Sequence, residues 1–493
     1  MTACAAPLEV LEGILGCLDD DRAALSACSV ACHAWLPIFR PLLFRKITLD
    51  YRGDSCDRLL RALRSSASTD VPIADCVRKV KVCTDSVTMS MGRDDARKRL
   101  SRYAESMLGN WIPQPEPAPI RLPDGRVFPV GNKRALSSAL GPVLHSLPHV
   151  EHLYMSSFDW NHLAPMTLWD VAMDRTCTSA PLSLFSGLTS VTSIAFGLTM
   201  FNSPSEVLQL LALFPNLKDL KMQAVICDPF GTDLPERGSP QGWSTSSPIR
   251  IEKLTIDGGI HVAPRLLDGL FSPPFTLTLR DLSISGGGTC DLNTVVRLLN
   301  KVRSTIEIIR LDFSMLARME KLLEVIDISK YLSLRVFELG YEYQLLELVL
   351  PGLGPVRDEA ADIRHLPVFL RGLPESIEEL VFRFKVPKRV TNGVMSIHWD
   401  FTDWDMLDRV FVELHARVPS LRVTFYFSIA PSSPLGWVTK SPEGLPDIAG
   451  ALVGRLRRAL ARAMHIRVAC IDDCNYDNVD IPNPVRLSLP QSD

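Results

Sequence analysis

The chain has 493 residues, 46% hydrophobic and 22% charged, a composition suited to packed structure and too long for one core, so several domains or a repeat array are expected. Lys and Arg number 53 against 56 Asp and Glu, a net charge of −3 with no long basic run, which argues against an electrostatic nucleic-acid footprint. No apolar stretch reaches the length of a membrane span, and "MTACAAPLEVLEGILGCLDDD" lacks the positive charge that opens a secretory signal.

The first fifty residues read as three short helices. Pro7 suits a first helical position, and Leu11, Ile14, Leu15 and Leu18 recur at helical spacing. Asp19, Asp20 and Asp21 oppose the negative end of that helix and favour the start of the next, "RAALSACSV". A third helix holds Trp35, Ile38 and Phe39 and is expected to end near Pro41. Three helices in about forty residues have little core of their own, so an apolar face must be buried on a partner or on the following domain. Cys28, Cys32 and His33 would need further ligands to hold zinc, and no Cys-x2-Cys pair lies nearby. A docking hook is the simpler reading.

The stretch "PLEVLEGILGCLDDDRAALSACSVACHAWLPIFRPLLFRKITL" resembles an F-box, in particular that of large fungal families. The match runs through Pro7-Leu8-Glu9-Val10, Ile14-Leu15, Leu18, Leu25, Cys28-Ser29-Val30-x-Cys32, Trp35 and Leu43-Phe44-Arg45, about a tenth of the chain. It departs at Ala6, where the family carries Leu before Pro, and at His33, where a basic residue is common. The resemblance implies binding to the Skp adaptor, and through it to a cullin scaffold and a RING ubiquitin ligase. The docking residues it implies are Pro7, Leu8, Val10, Leu11, Ile14, Leu15, Leu18, Leu25, Val30, Cys32 and Trp35. These apolar side chains could alternatively serve only the internal core of the three helices.

Beyond the third helix a strand pattern recurs: apolar, two variable, apolar, one variable, apolar. It occurs at Phe44-Ile47-Leu49, Val77-Val80-Val82, Val150-Leu153-Met155, Val191-Ile194-Phe196 and Leu217-Leu220-Met222. It continues at Ile251-Leu254-Ile256, Leu279-Leu282-Ile284, Ile306-Ile309-Leu311, Leu334-Phe337-Leu339 and Ile377-Leu380-Phe382, with Leu421-Thr424-Tyr426 as a degraded copy. Starts at 251, 279, 306 and 334 give steps of 28, 27 and 28 residues, the length of one strand plus a return segment. Helices are expected between them, including "SPSEVLQLLALF" with Ser203 as cap, Pro204 at the first position and Glu206 completing a capping box. "DLNTVVRLLNKV", "FSMLARMEKLLEVIDI" and "DWDMLDRVFVELHARV", the last capped by Asp403, follow.

This pattern resembles the leucine-rich-repeat solenoid that follows many F-boxes. The expected fold is α/β: a three-helix F-box over 1–46, then an irregular solenoid over 47–470 with parallel strands on a concave side and helices on a convex side, then a tail over 471–493. The family's asparagine ladder is missing, since Val225, Gly259, Gly287 and Ser314 occupy its positions. Insertions are expected at 111–130, in the second half of 156–187, at 228–248 and at 354–367. Client-binding positions are the strand residues that point away from the core: Tyr154, Lys221, Lys253, Thr255, Ser283, Arg310, Glu338 and Arg383.

No nucleophile, Walker or metalloprotease motif occurs, so neither an enzyme nor a cofactor is expected. Gly286-Gly287-Gly288 reads as a tight turn more readily than as a phosphate loop, and His145, His149, His152 and His162 as surface residues more readily than as a metal site. Twelve scattered cysteines and the absence of an Asn-x-Ser/Thr sequon suit reduced thiols in cytosol or nucleus. Residues 447–468 read as one basic amphipathic helix, a cap on the last repeat more readily than a helix that binds acidic membranes or a calmodulin-like protein. The functional expectation is a substrate-recognition subunit of a cullin-RING ligase that binds an unidentified protein client. An F-box scaffold that directs no degradation is the alternative, and a hydrolase without a recognisable nucleophile motif is the third reading.

Overall fold

The protein is seen in a computed structural model that describes residues 18, 21–31, 36–51, 54–69, 71–83, 139–156, 160, 182–201, 203–227, 248–257, 264–286, 292–313, 316–342, 365–387, 389–391, 394–396, 403–430, 444–472 and 485–488. They form a mixed α/β structure of mainly parallel strands. Two compact units result, one drawn from Met1–Asp219, Ala224–Ile249 and Pro273–Phe275, the other from Leu220–Gln223, Arg250–Ser272 and Thr276–Asp493. Of the expected insertions, 111–130, most of the second half of 156–187, all but Pro248 of 228–248, and 354–364 of 354–367 lie outside the described residues, whereas 365–367 open a helix.

In the first unit, helices α1 (Arg22–Ala31) and α2 (Leu36–Phe44) pack together around Leu25 and Phe39, which are 2% and 0% exposed. Of the first expected helix only Leu18 is described, and it is helical. Helix α2 does not stop near Pro41 but runs to Phe44. Pro41 removes only the hydrogen bond its own nitrogen would have made four residues back, and the buried Phe39 anchors the helix on either side of that gap. Strand β1 (Lys46–Asp50) follows after a single residue, Arg45. Then come α3 (Ser55–Ser66), the one-turn α4 (Ile73–Cys76), β2 (Lys79–Cys83), α5 (Leu140–His145), β3 (His152–Ser156), β4 (Ser193–Phe201) and α6 (Pro204–Ala212). Strands β1 to β4 pair in parallel and in chain order. The register aligns Ile47, Val80, Leu153 and Ile194 in one row and Leu49, Val82, Met155 and Phe196 in the next, all nearly fully buried. Helix α6 starts as expected, with Pro204 in its first turn and Ser203 Oγ accepting from Glu206 N at 3.3 Å. Strand β5 (Asp219–Cys227) has residues in both units, and it continues through Val225, where the asparagine of a regular repeat would turn the chain.

The second unit continues with β6 (Ile249–Asp257), α7 (Pro264–Leu270), β7 (Phe275–Gly286), α8 (Leu292–Val302), β8 (Ile308–Phe313), α9 (Leu316–Val325), β9 (Val336–Glu342), α10 (His365–Arg371) and β10 (Glu379–Pro387). A small hairpin of β11 (Arg389–Thr391) and β12 (Val394–Ser396) precedes α11 (Trp404–Arg417), β13 (Arg422–Ala430), α12 (Gly444–Arg455), α13 (Arg457–Ala461), β14 (His465–Asp472) and β15 (Val485–Arg486). From β7 to β14 the main-sheet pairings are parallel, and β15 closes the order antiparallel to β14. Leu282, Ile309, Phe337, Leu380, Val423 and Ile466 form one buried row, and Ile284, Leu311, Leu339, Phe382, Phe425 and Val468 the next. Successive helices from α7 to α11 pack side by side over this apolar face. Near its end aromatic rings take over the filling: Phe382 and Phe425 stack with centroids 5.2 Å apart, and Phe384 lies 5.4 Å from Phe427.

A backbone hydrogen-bond motif recurs between consecutive strands. In front of β2 to β5, β9 and β10, one carbonyl just before or within the preceding strand receives two consecutive N–H groups of the next. Arg45 O accepts from Arg78 N and Lys79 N, Arg78 O from Glu151 N and His152 N, Glu151 O from Thr192 N and Ser193 N, and Thr192 O from Lys218 N and Asp219 N, all within 3.0 Å. The second unit repeats the fork at Glu307 O, with Arg335 N and Val336 N, and at Arg335 O, with Glu378 N and Glu379 N. Turn side chains add a parallel thread: Ser190 donates to Pro148 O, Asn216 to Thr189 O, Thr305 to Leu279 O and Ser376 to Leu334 O, at 2.8–3.0 Å.

Three expectations are corrected near the C-terminal end. The degraded copy is in register at Val423 and Phe425 rather than Thr424 and Tyr426, because the turn before β13 is one residue shorter and the spacing becomes Leu421-x-Val423-x-Phe425. "FSMLARMEKLLEVIDI" forms α9 only to Val325 and then a 3-10 turn over Ile328–Lys330. Residues 447–468 are not one helix but the end of α12, then α13, then the start of β14. The break has two causes. Asp408 of α11 is 3% exposed, and its carboxylate accepts from Arg458 N at 3.0 Å and Ala459 N at 2.9 Å, which starts a new helix there. Ala463, at φ 58°, ends it in a left-handed turn closed by Met464 N donating to Ala459 O.

Asp408→Ala should lower unfolding stability by about 2–3 kcal/mol, because two buried N–H groups lose a charged acceptor. Ala463→Gly should raise it by about 0.5–1 kcal/mol by relieving the left-handed alanine. Urea denaturation of both variants checks the pair, and an unchanged midpoint in Asp408→Ala would show that the buried carboxylate does not hold α13.

Candidate functional site

Two surfaces matter. The first is the N-terminal hook. Pro7, Leu8, Val10, Leu11, Ile14, Leu15, Cys32 and Trp35 lie outside the described residues. Leu18 is half-buried, Val30 sits in the last turn of α1, and Leu25, expected on a docking face, is instead buried in the α1–α2 packing. What the structure adds is an attachment. Arg40 on α2 donates from Nη1 to Thr69 Oγ1 and to Val71 O, both at 2.9 Å, and α2 also touches α4 and β1. Only Arg45 separates α2 from β1.

The second surface is the sheet face that points away from the buried rows. In the first unit Tyr154 lies there, with Lys81 Nζ 5.1 Å from its ring centroid. Its hydroxyl reaches across to Gly197, where a Cβ would stand 2.5 Å from the phenol oxygen, so that strand position has room only for glycine.

In the second unit the outward residues form one continuous charge ladder. Lys253 Nζ is 3.4 Å from Asp281 Oδ2, and Arg310 Nη1 is 2.5 Å from Asp281 Oδ1. Arg310 Nε then reaches Glu338 Oε2 at 3.4 Å, Arg383 pairs with the other Glu338 oxygen, and the Arg383 guanidinium lies 5.0 Å from the Tyr426 ring centroid. Six strands are crossed, β6 to β10 and then β13, with signs alternating at every step until the aromatic ring. Asp281 and Glu338 are only 16% and 13% exposed, so these pairs are poorly screened, while Lys253 at the open end is 47% exposed. A second thread joins Gln223 and Ser285 to Asp257 at 3.1 and 2.5 Å. Lys221, Thr255 and Ser283 are half-buried on their strands. Gly340 sits opposite Asp312, and a Cβ there would press within 2.9 Å of that carboxylate.

Of the predicted client-binding residues, then, Lys253, Arg310, Glu338 and Arg383 are brought together, joined by Asp281. They pair with one another. Sequence reasoning missed the place of Tyr426, which the degraded motif put in the core and the structure puts outward under Arg383. The shortened turn was the signal that could have found it.

Among the described residues no group of three or more His, Cys, Asp and Glu could hold a metal ion, and no helix is long and apolar enough to cross a membrane. His145 Nδ1 contacts Gly141 O at 2.8 Å and His149 lies 3.8 Å from Asp75, while Cys32, His33, His162, Gly287, Gly288 and Cys474 are outside the described residues. Burial pushes the Cys227 thiol up to about 12, aided by the nearby Glu206, and burial likewise raises Tyr331 to about 12. Both shifts oppose use as a nucleophile.

The ladder predicts unequal costs along its length. Glu338→Ala should destabilise the protein by about 1–3 kcal/mol, because two partly buried guanidinium groups lose their shared carboxylate. Lys253→Gln, at the half-exposed end, should stay within about 0.5 kcal/mol of the parent. Thermal melts of the two variants check this, and equal effects would contradict a ladder anchored at Glu338. No protein-family model matches the chain, and no curated protein matches it.

Proposed function

We propose that the protein is the substrate-recognition subunit of a cullin-RING ubiquitin ligase, with an F-box at its N-terminus that docks the Skp adaptor and a leucine-rich-repeat-like array that holds a protein client. The observation that carries this reading is the order and spacing of the first fifty residues, from Pro7-Leu8 through Ile14-Leu15 and Trp35 to Leu43-Phe44-Arg45. Two structural facts support it. The modules that follow are strands in chain order with helices over one face, an arrangement compatible with a solenoid. The second is the one-residue join between α2 and β1, since a receptor must present its client in a fixed orientation for ubiquitin to reach a lysine. No catalytic residue or cofactor of its own is invoked, and the proposed site of action is cytosol or nucleus.

One observation favours a second reading, an F-box scaffold that directs no degradation. The most prominent charged side chains on the outward face neutralise one another, so fewer of them are free to grip a client.

Burying a leucine is worth about 1.5–3 kcal/mol, and an aspartate in its place strands a charge at the contact, so Leu8→Asp/Leu11→Asp should abolish adaptor binding. Co-purification with the Skp adaptor tests this. A folded double variant that retains the adaptor would remove the docking assignment. Recovery of adaptor and cullin with a ubiquitinated client supports the receptor, and recovery of the adaptor without a client supports the scaffold.

A further inference from the structure

The alternation of charge across the second unit stops at its last strands. On β13, β14 and β15 the core side is fixed by Val423, Phe425, Ile466, Val468 and Leu487, all buried, so Arg422, Tyr426, His465, Arg467 and Arg486 face outward. No Asp or Glu occurs among the residues of these three strands whose side chains are described. Arg422 has Glu379 of β10 at 3.7 Å, but Arg467 and Arg486 make no ion pair among the described residues. These two are direct cross-strand partners in the antiparallel β14–β15 pair. Like charges placed opposite one another on adjacent strands destabilise a sheet, an arrangement that a bound anion would relieve.

We infer that the outward face of β13–β15 is a docking surface for an acidic, extended peptide segment of a partner protein. Adjacent strands lie about 4.8 Å apart, so the three guanidinium groups cover a patch of about 10–15 Å, within reach of carboxylates on alternate residues of one extended segment. Each planar guanidinium can hold a carboxylate through two parallel N–H groups. The Arg383–Tyr426 stack bounds the patch on one side, and β15, the last strand of the order, bounds it on the other. A nucleic acid fits less well: three arginines neutralise few phosphates, the cations of the ladder beside them are held in ion pairs, and the chain as a whole carries −3. The inference holds whether or not the N-terminal helices dock an adaptor, because its test uses the isolated full-length chain.

The probe is a fluorescein-labelled decapeptide of alternating Glu and Ser, followed by anisotropy at about 50 mM and 300 mM NaCl. Saturable binding is expected at low salt, weakened about tenfold or more in Arg467→Gln/Arg486→Gln, retained within about threefold in Arg467→Lys/Arg486→Lys, and unchanged in Lys253→Gln. If the double glutamine variant melts differently from the parent, Arg486→Gln alone, on the exposed strand, takes its place and should still weaken binding about threefold or more. Absence of binding at low salt, parent-like binding by the glutamine variants, or an equal loss in Lys253→Gln would overturn the proposal. So would competition by a ten-nucleotide oligothymidylate as effective as that by the unlabelled peptide.

Discussion

Each strand from β1 to β10, and β13 and β14 after them, carries two buried apolar side chains two residues apart, and stacking those pairs in register is the constraint on which everything else depends. Because side chains alternate along a strand, placing Leu282 and Ile284 inward forces Asp281 and Ser283 outward, and the same holds from strand to strand. One register therefore fixes both the core and the chemistry of the opposite face. A slip by one residue would bury Arg310 and Glu338 and expose Ile309 and Leu311. The forked backbone hydrogen bonds at Arg45, Arg78, Glu151, Thr192, Glu307 and Arg335 hold that register ahead of β2 to β5, β9 and β10. They do so without a dedicated side chain.

Much of this was legible in the residues. Ten three-point motifs fell on β1 to β10, because burial on one face of a strand leaves a period of two that hydrophobicity alone reveals. Helix starts were legible where a side-chain acceptor stands in front, as at Ser203 and Asp403. Strands β13 and β14 were not, since each has a turn one residue shorter and a search for the longer spacing steps out of phase. The break inside 447–468 was hidden for a different reason. Its cause is Asp408, about fifty residues earlier in the chain and adjacent only after folding. The candidate face was legible as a set of positions but not as a set of interactions, because alternating Lys, Asp, Arg and Glu on separate strands says nothing about which of them meet.

That difference bears on function. A face read from sequence as a mixed polar surface proves in its centre to be a closed chain of charge, from Lys253 to Arg383 and on to Tyr426. A closed chain stiffens the sheet and offers little net field to a partner. The terminal strands do offer one, since Arg467 and Arg486 stand opposed and neither makes an ion pair among the described residues. Recognition is then expected at the end of the face and not across its middle.

The central claim, that residues near the N-terminus dock an adaptor while the strand modules remain available, is tested most directly by hydrogen–deuterium exchange of the full-length chain with and without the purified Skp adaptor. The account predicts that adaptor slows exchange in peptides spanning residues 7–35 and leaves those of β6 to β15 unchanged. Slowed exchange across the strands with none at the N-terminus, or no change anywhere at saturating adaptor, would contradict it.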